Sequence, residues 1–563
     1  MKRFRWQLII IFITGIIVGI LLIGEQSTPQ TTFEPEPVQG GIYTEALIGS
    51  LQRLNPVLDY YNPVDRDIDR LVFSGLLKMD DRGVPQLDVA ESRGVSNDGT
   101  VYNFTIHNNV LWHDGVPLTT EDILFTVELL REGSDIVPAD IQEFWQEIEV
   151  VAINDTSIQF RLPEPFAPFL DYLTFGILPA HLLADLSFDE IVDDSFNLQP
   201  VGSGPYRFDR LIVENDEITG IVLTAYEEYY ADRPYIDQLV FRYYPDSYTG
   251  FQAYQDGMVQ GISTVTDDVL PDVLREEMLN LYTARKPEVG MIFLNLNNPA
   301  VPFFQEPAIR IALLQGINRQ RIINTLMDGQ GIIANGVILP NTWAHYDGLE
   351  EIEYDTDAAI LALKEAGYVI GSEGEPVRTN EDGVKFEFEL VYPDDEDYQL
   401  IAEAIQEDWA RLGVSTTLTA LPYDDLVESR LQTRSYEAAL INLNLSRTPD
   451  PDPYPFWDQA QATGGQNYSQ WDDRMASEYL EQARVTWDMT ERLRLYRNFQ
   501  VIFASELPSL PLYFTVYNYA VDEGVLGVRV GPLFDSSDRF LTVTDWYLIS
   551  RTTQNQAAAT EEN

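Results

Sequence analysis

The 563-residue chain has no cysteine. Disulfides, thiolate zinc sites and thiol nucleophiles are therefore excluded. Histidine is scarce: His107, His113, His181 and His345 are the four, and they show no metal-ligand spacing. Positive charge is thin. Lys and Arg number 36 against 90 Asp and Glu, a formal net charge of −54. That balance argues against nucleic acid, whose phosphates a protein must neutralise. It suits a solvated surface that keeps the chain dispersed, and it would favour a cationic ligand. No Gly-x-Ser-x-Gly, His-Glu-x-x-His or Gly-x-x-x-x-Gly-Lys-Ser/Thr occurs, so the common hydrolase and phosphate-loop signatures are missing. Gly329-Gln330-Gly331-Ile332-Ile333-Ala334 fits a relaxed dinucleotide fingerprint, but a helix-like segment precedes it where a strand is needed.

What is present is globular. Apolar residues make up 45% and aromatics 12%, and the length suggests two to four domains. One long uncharged apolar run exists, Trp6 to Gly24, preceded by Lys2, Arg3 and Arg5. Basic residues stay on the cytoplasmic side, so the chain beyond Glu25 is expected to be exported. Residues 1–24 are expected to be a membrane anchor in preference to a cleaved signal peptide, since no small-x-small cleavage site is evident. Residues 25–39 are rich in Pro, Thr and Glu and suit an extended tether. Residues 551–563 are expected to be a disordered tail.

The stretch Asn97–Arg131 is the most informative. Asn97-Asp98-Gly99 is a turn signal. Tyr102, Phe104 and Ile106 alternate with polar residues as in a half-buried strand. Val110-Leu111-Trp112 reads as a second short strand, and His113-Asp114-Gly115 as a sharp turn. Thr119 with Asp122 forms a capping-box pattern before a helix whose apolar face is Ile123, Val127 and Leu130. Farther on, Ile148–Ile153 and Ser157–Leu162 flank Asn154-Asp155 as a hairpin. Val201-Gly202-Ser203-Gly204-Pro205-Tyr206 allows a tight backbone path into a strand.

Asp98-Gly99, Tyr102, Phe104, Ile106, Trp112-His113-Asp114-Gly115, Pro117-Leu118-Thr119 and Asp122-Ile123 together resemble the signature of the family 5 extracellular solute-binding proteins of ABC importers. Thr120 stands where that signature usually has Ala. Val201 to Phe208, Leu54-Asn55-Pro56, Arg310 to Arg319 and Leu507 to Tyr513 match further family segments, so the resemblance spans roughly Gly40 to Leu548. It implies an α/β two-lobed periplasmic-binding-protein-like clamshell of type II, in the large peptide-binder subclass, with a central ligand cleft. Residues 40–285 plus 518–550 would form lobe I, with a family-specific subdomain around 65–200, and residues 286–517 lobe II. The function implied is capture of oligopeptides and delivery to a membrane permease, by a monomeric protein with no cofactor and no catalysis. Opines, sugars and metal chelates are alternative cargoes, and a secreted carboxylate-dependent hydrolase is the alternative from another class. The lipid-bearing Cys of many such proteins is absent.

Between Asp355 and Leu443 the residues themselves describe strand-helix-strand-helix-strand. A helix capped at Asp355 stops at Gly367. Phe386, Phe388 and Leu390 mark a strand, and Ile401, Ile405, Trp409 and Leu412 one helix face ended by Gly413. Val414–Leu421, Tyr423–Thr433 and Tyr436–Leu443 read as strand, helix and strand. Such a sheet is parallel, and its ligands sit beyond the carboxyl ends of the strands. The loop after Leu443 is thus the expected site, with Asn444, Arg447, Asp450, Asp452 and Trp457 as contacts, and Trp343 from a separate loop. In peptide binders of the family an Asp in this loop pairs with the peptide amine. Arg447 or Pro449 occupies that position here, depending on the register, and Arg447 would instead suit a carboxylate. Asp450 and Asp452 as turn residues, and Trp457 as core, are the plain alternatives.

Overall fold

Two long strands, Leu279–Leu294 and Ser509–Asp522, run antiparallel through the middle of an eleven-stranded sheet. The computed structural model describes residues 37–371, 376–445 and 450–549. The expected membrane segment, most of the tether, the tail and Arg447 lie outside the described residues. Among the described residues no helix is long and apolar enough to cross a membrane.

Beside Ser509–Asp522 the sheet continues through Gly261–Ile262, Ile42–Ile48, Gln238–Tyr244, Glu217–Ala225 and Tyr206–Glu214. Beside Leu279–Leu294 it continues through Ala438–Asn444, Glu387–Pro393 and Ser415–Leu421. The register of the central pair shifts between Arg285 and Val289, and such irregularities bend and twist a strand. Side chains on either side of that shift enter different cores. Tyr43, Leu71, Trp112, Tyr206, Phe241, Tyr517 and Trp546 share one. Ile292, Phe304, Leu313, Phe388, Trp409 and Leu510 share another, and Phe293, Trp457, Trp471, Phe499 and Phe514 pack on the opposite side of the same sheet region. The result is a two-lobed clamshell in which paired strands run from one lobe into the other, the geometry of a hinge.

The parallel unit forms for the reasons its sequence suggests. Glu387–Pro393 pairs in parallel with both Ser415–Leu421 and Ala438–Asn444. The helix Glu396–Leu412 between them is capped by Asp395 and ends at Gly413, whose φ of 80° is left-handed. Its buried face carries Ile401, Ile405, Trp409 and Leu412. The next connection differs from a plain helix. Tyr423–Asp425 passes into a π-helical segment, Leu426–Leu431, and the Gln432 N–H bonds to Val427 O, five residues back. The wider turn lets Leu426 and Leu431, five apart, both enter the core.

The signature stretch folds as strand Val101–Ile106 and helix Thr120–Glu132, with the capping box of Thr119 and Asp122 in place. Val110–Trp112 is not a second strand. Only a single bridge, Leu111 to Pro117, forms there, because Trp112 turns inward, fully buried, with its indole N–H 3.4 Å from Asp122. His113 then ties the two Gly-rich matches together. Its Nδ1 accepts the Gly202 N–H at 3.2 Å and its Nε2 donates to Gly204 O at 3.0 Å. Burial holds its pKa down to about 4, so the ring is neutral. Gly202 must be glycine here, since a Cβ would lie 1.9 Å from Val72 O.

Candidate ligand site

The loop expected to hold ligand leaves the sheet at Asn444, and Asn444 is exposed at the strand end. Asp450 is 4% exposed, and its carboxylate lies 2.6 Å from the Arg492 guanidinium. The Tyr496 hydroxyl donates to it at 3.1 Å and the Asp452 N–H at 3.1 Å. Arg492 is in turn held by Ala483 O and Tyr496, and stacks over the Trp343 ring with 5.0 Å to the centroid. Burial alone would push Arg492 down, but Asp450 and Asp171 keep it above the ordinary arginine range. Asp452 lies 3.2 Å from Arg484. Burial pushes Asp452 up to about 6 against the pull of that arginine.

This network reaches across to the other lobe. The Asp450 N–H donates to Asp171 Oδ2, on the turn Ala167–Leu173, and Arg484 covers the Phe166 ring at 5.1 Å. Burial, then the charge of Asp450, pushes the Asp171 carboxyl well above the usual range. Nearby, the Trp343 N–H donates to Arg82 O at 3.1 Å. Asp450 and Trp343 therefore both tie the second lobe to the first.

Of the six residues expected from the sequence, Asp450, Asp452 and Trp343 gather around Arg484 and Arg492. Trp457 stands apart, 1% exposed, between Phe293 and Phe503 in the core that also holds Trp471 and Phe499. Asn444 stays at the strand end. The partners Arg492, Arg484 and Asp171 were not foreseen. Helical spacing could have placed Arg492 and Gln500 on the buried face of Met489–Glu506, with Leu495, Tyr496, Phe499 and Phe503.

Against Asp171 lies a cavity of about 520 Å³, a size typical of small-molecule sites. It opens between the helix Pro63–Val72, the turn at Ala167–Leu173 and the segment Asp535–Thr544. Phe73, Trp145, Tyr172, Phe175, Tyr229 and Phe540 give it aromatic walls, and Asp59 and Asp69 face into it. A second hollow, about 420 Å³, is lined by Asp81, Arg82, Asn341 and His345. Among the described residues no cluster of His, Asp and Glu is placed to hold a metal ion.

Known proteins resemble this chain over nearly its whole length. The dipeptide-binding protein of Escherichia coli is 24% identical over 464 residues, covering 79% of this chain and 84% of that protein. The oligopeptide-binding protein AppA of Bacillus subtilis is 24% identical over 523 residues, covering 91% and 92%. The structure of HbpA2 from Haemophilus parasuis superposes with a TM-score of 0.79 at 20% identity, over 91% of this chain and 100% of that one. The model of the bacterial extracellular solute-binding proteins, family 5, matches residues 84–468. The chain belongs to the bacterial extracellular solute-binding proteins of family 5.

Proposed function

We propose that this protein captures oligopeptides between its lobes and hands them, chemically unchanged, to the permease of an ABC importer. The observation that carries this reading is the junction at Asp450. A cavity wall in one lobe, Asp171, is bonded directly to the loop at the carboxyl ends of the other lobe's strands. A ligand at that wall contacts the bond that joins the lobes, so it can favour the closed form by its differential affinity for the two forms. The names of the Escherichia coli and Bacillus subtilis relatives, a dipeptide- and an oligopeptide-binding protein, point to peptide as the cargo.

In this reading residues 40–285 with 518–550 move as one body and 286–517 as the other. Asn444, Arg447, Asp450 and Asp452 form the loop that closes over the guest, with Trp343 and Trp457 as its packed support. The apolar segment at residues 6–24 keeps the protein at the outer face of the cytoplasmic membrane, and one copy serves one permease. Thermal denaturation with and without a random mixture of tri- to octapeptides tests the proposal. Binding to the native state alone raises the melting temperature, by about 2.7 kcal/mol of stabilisation at a hundredfold excess over Kd. A rise with the mixture, and none with its constituent free amino acids, is the expected result. An unchanged melting temperature at millimolar peptide would contradict it.

A further inference from the structure

The large cavity has more acid than its own bases neutralise. Arg66 lies 2.8 Å from Asp535, Arg70 is bonded to Asp538, and Lys78 lies 3.3 Å from Asp88. The Arg66 guanidinium also donates to the backbone oxygens of Asp59 and Tyr60, which occupies it further. Each basic residue of the wall is thus matched by a different acid. Asp171 accepts the Asp450 N–H. Of the wall carboxylates that remain, Asp140 is exposed, and two are buried, Asp59 in the turn before the helix and Asp69 within it.

Asp69 is 3% exposed, and neither of its oxygens has a hydrogen-bond partner; Asp59 and the Asn55 amide are its polar neighbours. A buried carboxylate without a partner is costly, and such groups normally pair or lose their charge. Burial, then the charge of Asp59, pushes Asp69 well above the usual carboxylate range, and burial pushes Asp59 up against the pull of Arg66. Tyr172, Tyr229 and Phe540 stand in the same wall, and aromatic faces attract cations. The loop of the opposite lobe offers no substitute, because Asp450 is already taken by Arg492 and Tyr496.

We infer that Asp59 and Asp69 are the anchor for a cationic group of the ligand, an ammonium or guanidinium inserted into the lobe I cavity. This rests on the peptide reading, in which the group is the amino terminus or a basic side chain. It places cation recognition in the lobe that holds the cavity, and leaves the Asp450 loop to closure. A guest held there also touches Asp171, so anchoring and lobe contact share one wall.

Melting temperatures of the full chain and of its Asp69→Asn and Asp59→Asn variants test this against three random tripeptide pools. The first lacks Lys, Arg and His but has free amino termini; the second is the same pool N-acetylated; the third is N-acetylated with Lys and Arg restored. Asn is nearly isosteric and relieves the crowding of two buried carboxyls, so both ligand-free variants should melt at or above the wild type. Wild type should respond to the first or third pool and not to the second, and Asp69→Asn should weaken the response at least tenfold in midpoint concentration. An equal response to the second pool, or an Asp69→Asn variant that responds like wild type, would overturn the inference. If no pool acts, the peptide reading fails, and arginine, putrescine, spermidine and choline become the probes. A shift with one of these that Asp69→Asn abolishes sustains the cation anchor. No shift, or a shift only with calcium or magnesium chloride, overturns it.

Discussion

The Arg539 guanidinium lies 2.8 Å from the Glu45 carboxylate although 494 residues separate them. Both are fully buried, and Arg539 also makes paired bonds of 2.6 and 2.8 Å to Asp67. The Tyr43 and Tyr519 hydroxyls donate to the same Glu45 carboxylate. One cation thus stitches the first strand, the first helix and the end of the chain into a single lobe. Removing one partner of a buried pair strands the others without water, at about 3–5 kcal/mol. Arg539→Leu should therefore lower the unfolding free energy by about that much, read from urea denaturation of the lobe's signal. A loss under about 1 kcal/mol would contradict this account of the network.

The Asp450–Arg492 pair should behave differently from a ligand contact. Arg492→Leu leaves Asp450 and Asp171 facing each other without a cation, and stability should fall by about 3–5 kcal/mol with no ligand present. Asp450→Asn combined with Arg492→Leu should recover part of that loss. A double-mutant cycle with no coupling between the two would contradict the network.

Trp457→Ala removes a ring packed on Phe293 and Phe503. Such truncation costs about 3–5 kcal/mol. The variant should melt lower whether or not peptide is present, and the peptide-induced shift should be unchanged in size. A variant of normal stability that no longer responds to peptide would return Trp457 to the binding surface.

Stability should increase on mild acidification. Burial pushes Asp67 and Asp452 up to about 6, above the ordinary value of 3.8. Between those values the folded chain holds protons that the unfolded chain releases, so stability grows as pH falls through that window. His113, lowered from 6.5 to about 4, acts in the opposite sense there, because the unfolded chain is the one that binds its proton. Asp59, Asp69 and Asp171 shift with the carboxylates, and the excess negative charge also declines with acid. The melting temperature at pH 5 should exceed that at pH 8, and Asp452→Asn should reduce the difference. A lower melting temperature at pH 5 would contradict this balance.

Local chemistry was legible in the sequence and long-range electrostatics was not. Thr119 and Asp122 cap their helix as their spacing suggests, since a capping box depends only on neighbours. The parallel order around Glu387–Pro393 follows from alternating strand and helix patterns. Val110–Trp112 misled because Trp112 is anchored by Asp122, ten residues away, in place of a strand partner. Asp450 could be located but not explained, because its partner Arg492 lies on a helix whose buried face includes charged and amide side chains. The cavity escaped entirely. Asp59, Asp171 and Asp538 have no sequence relation, and only folding brings them to one wall.

Native mass spectrometry of the full chain with a random oligopeptide mixture, followed by recovery of whatever is bound, tests the central proposal most directly. Capture predicts a one-to-one complex and peptides released with the masses at which they were added. No bound peptide, or recovered fragments shorter than those supplied, would contradict it.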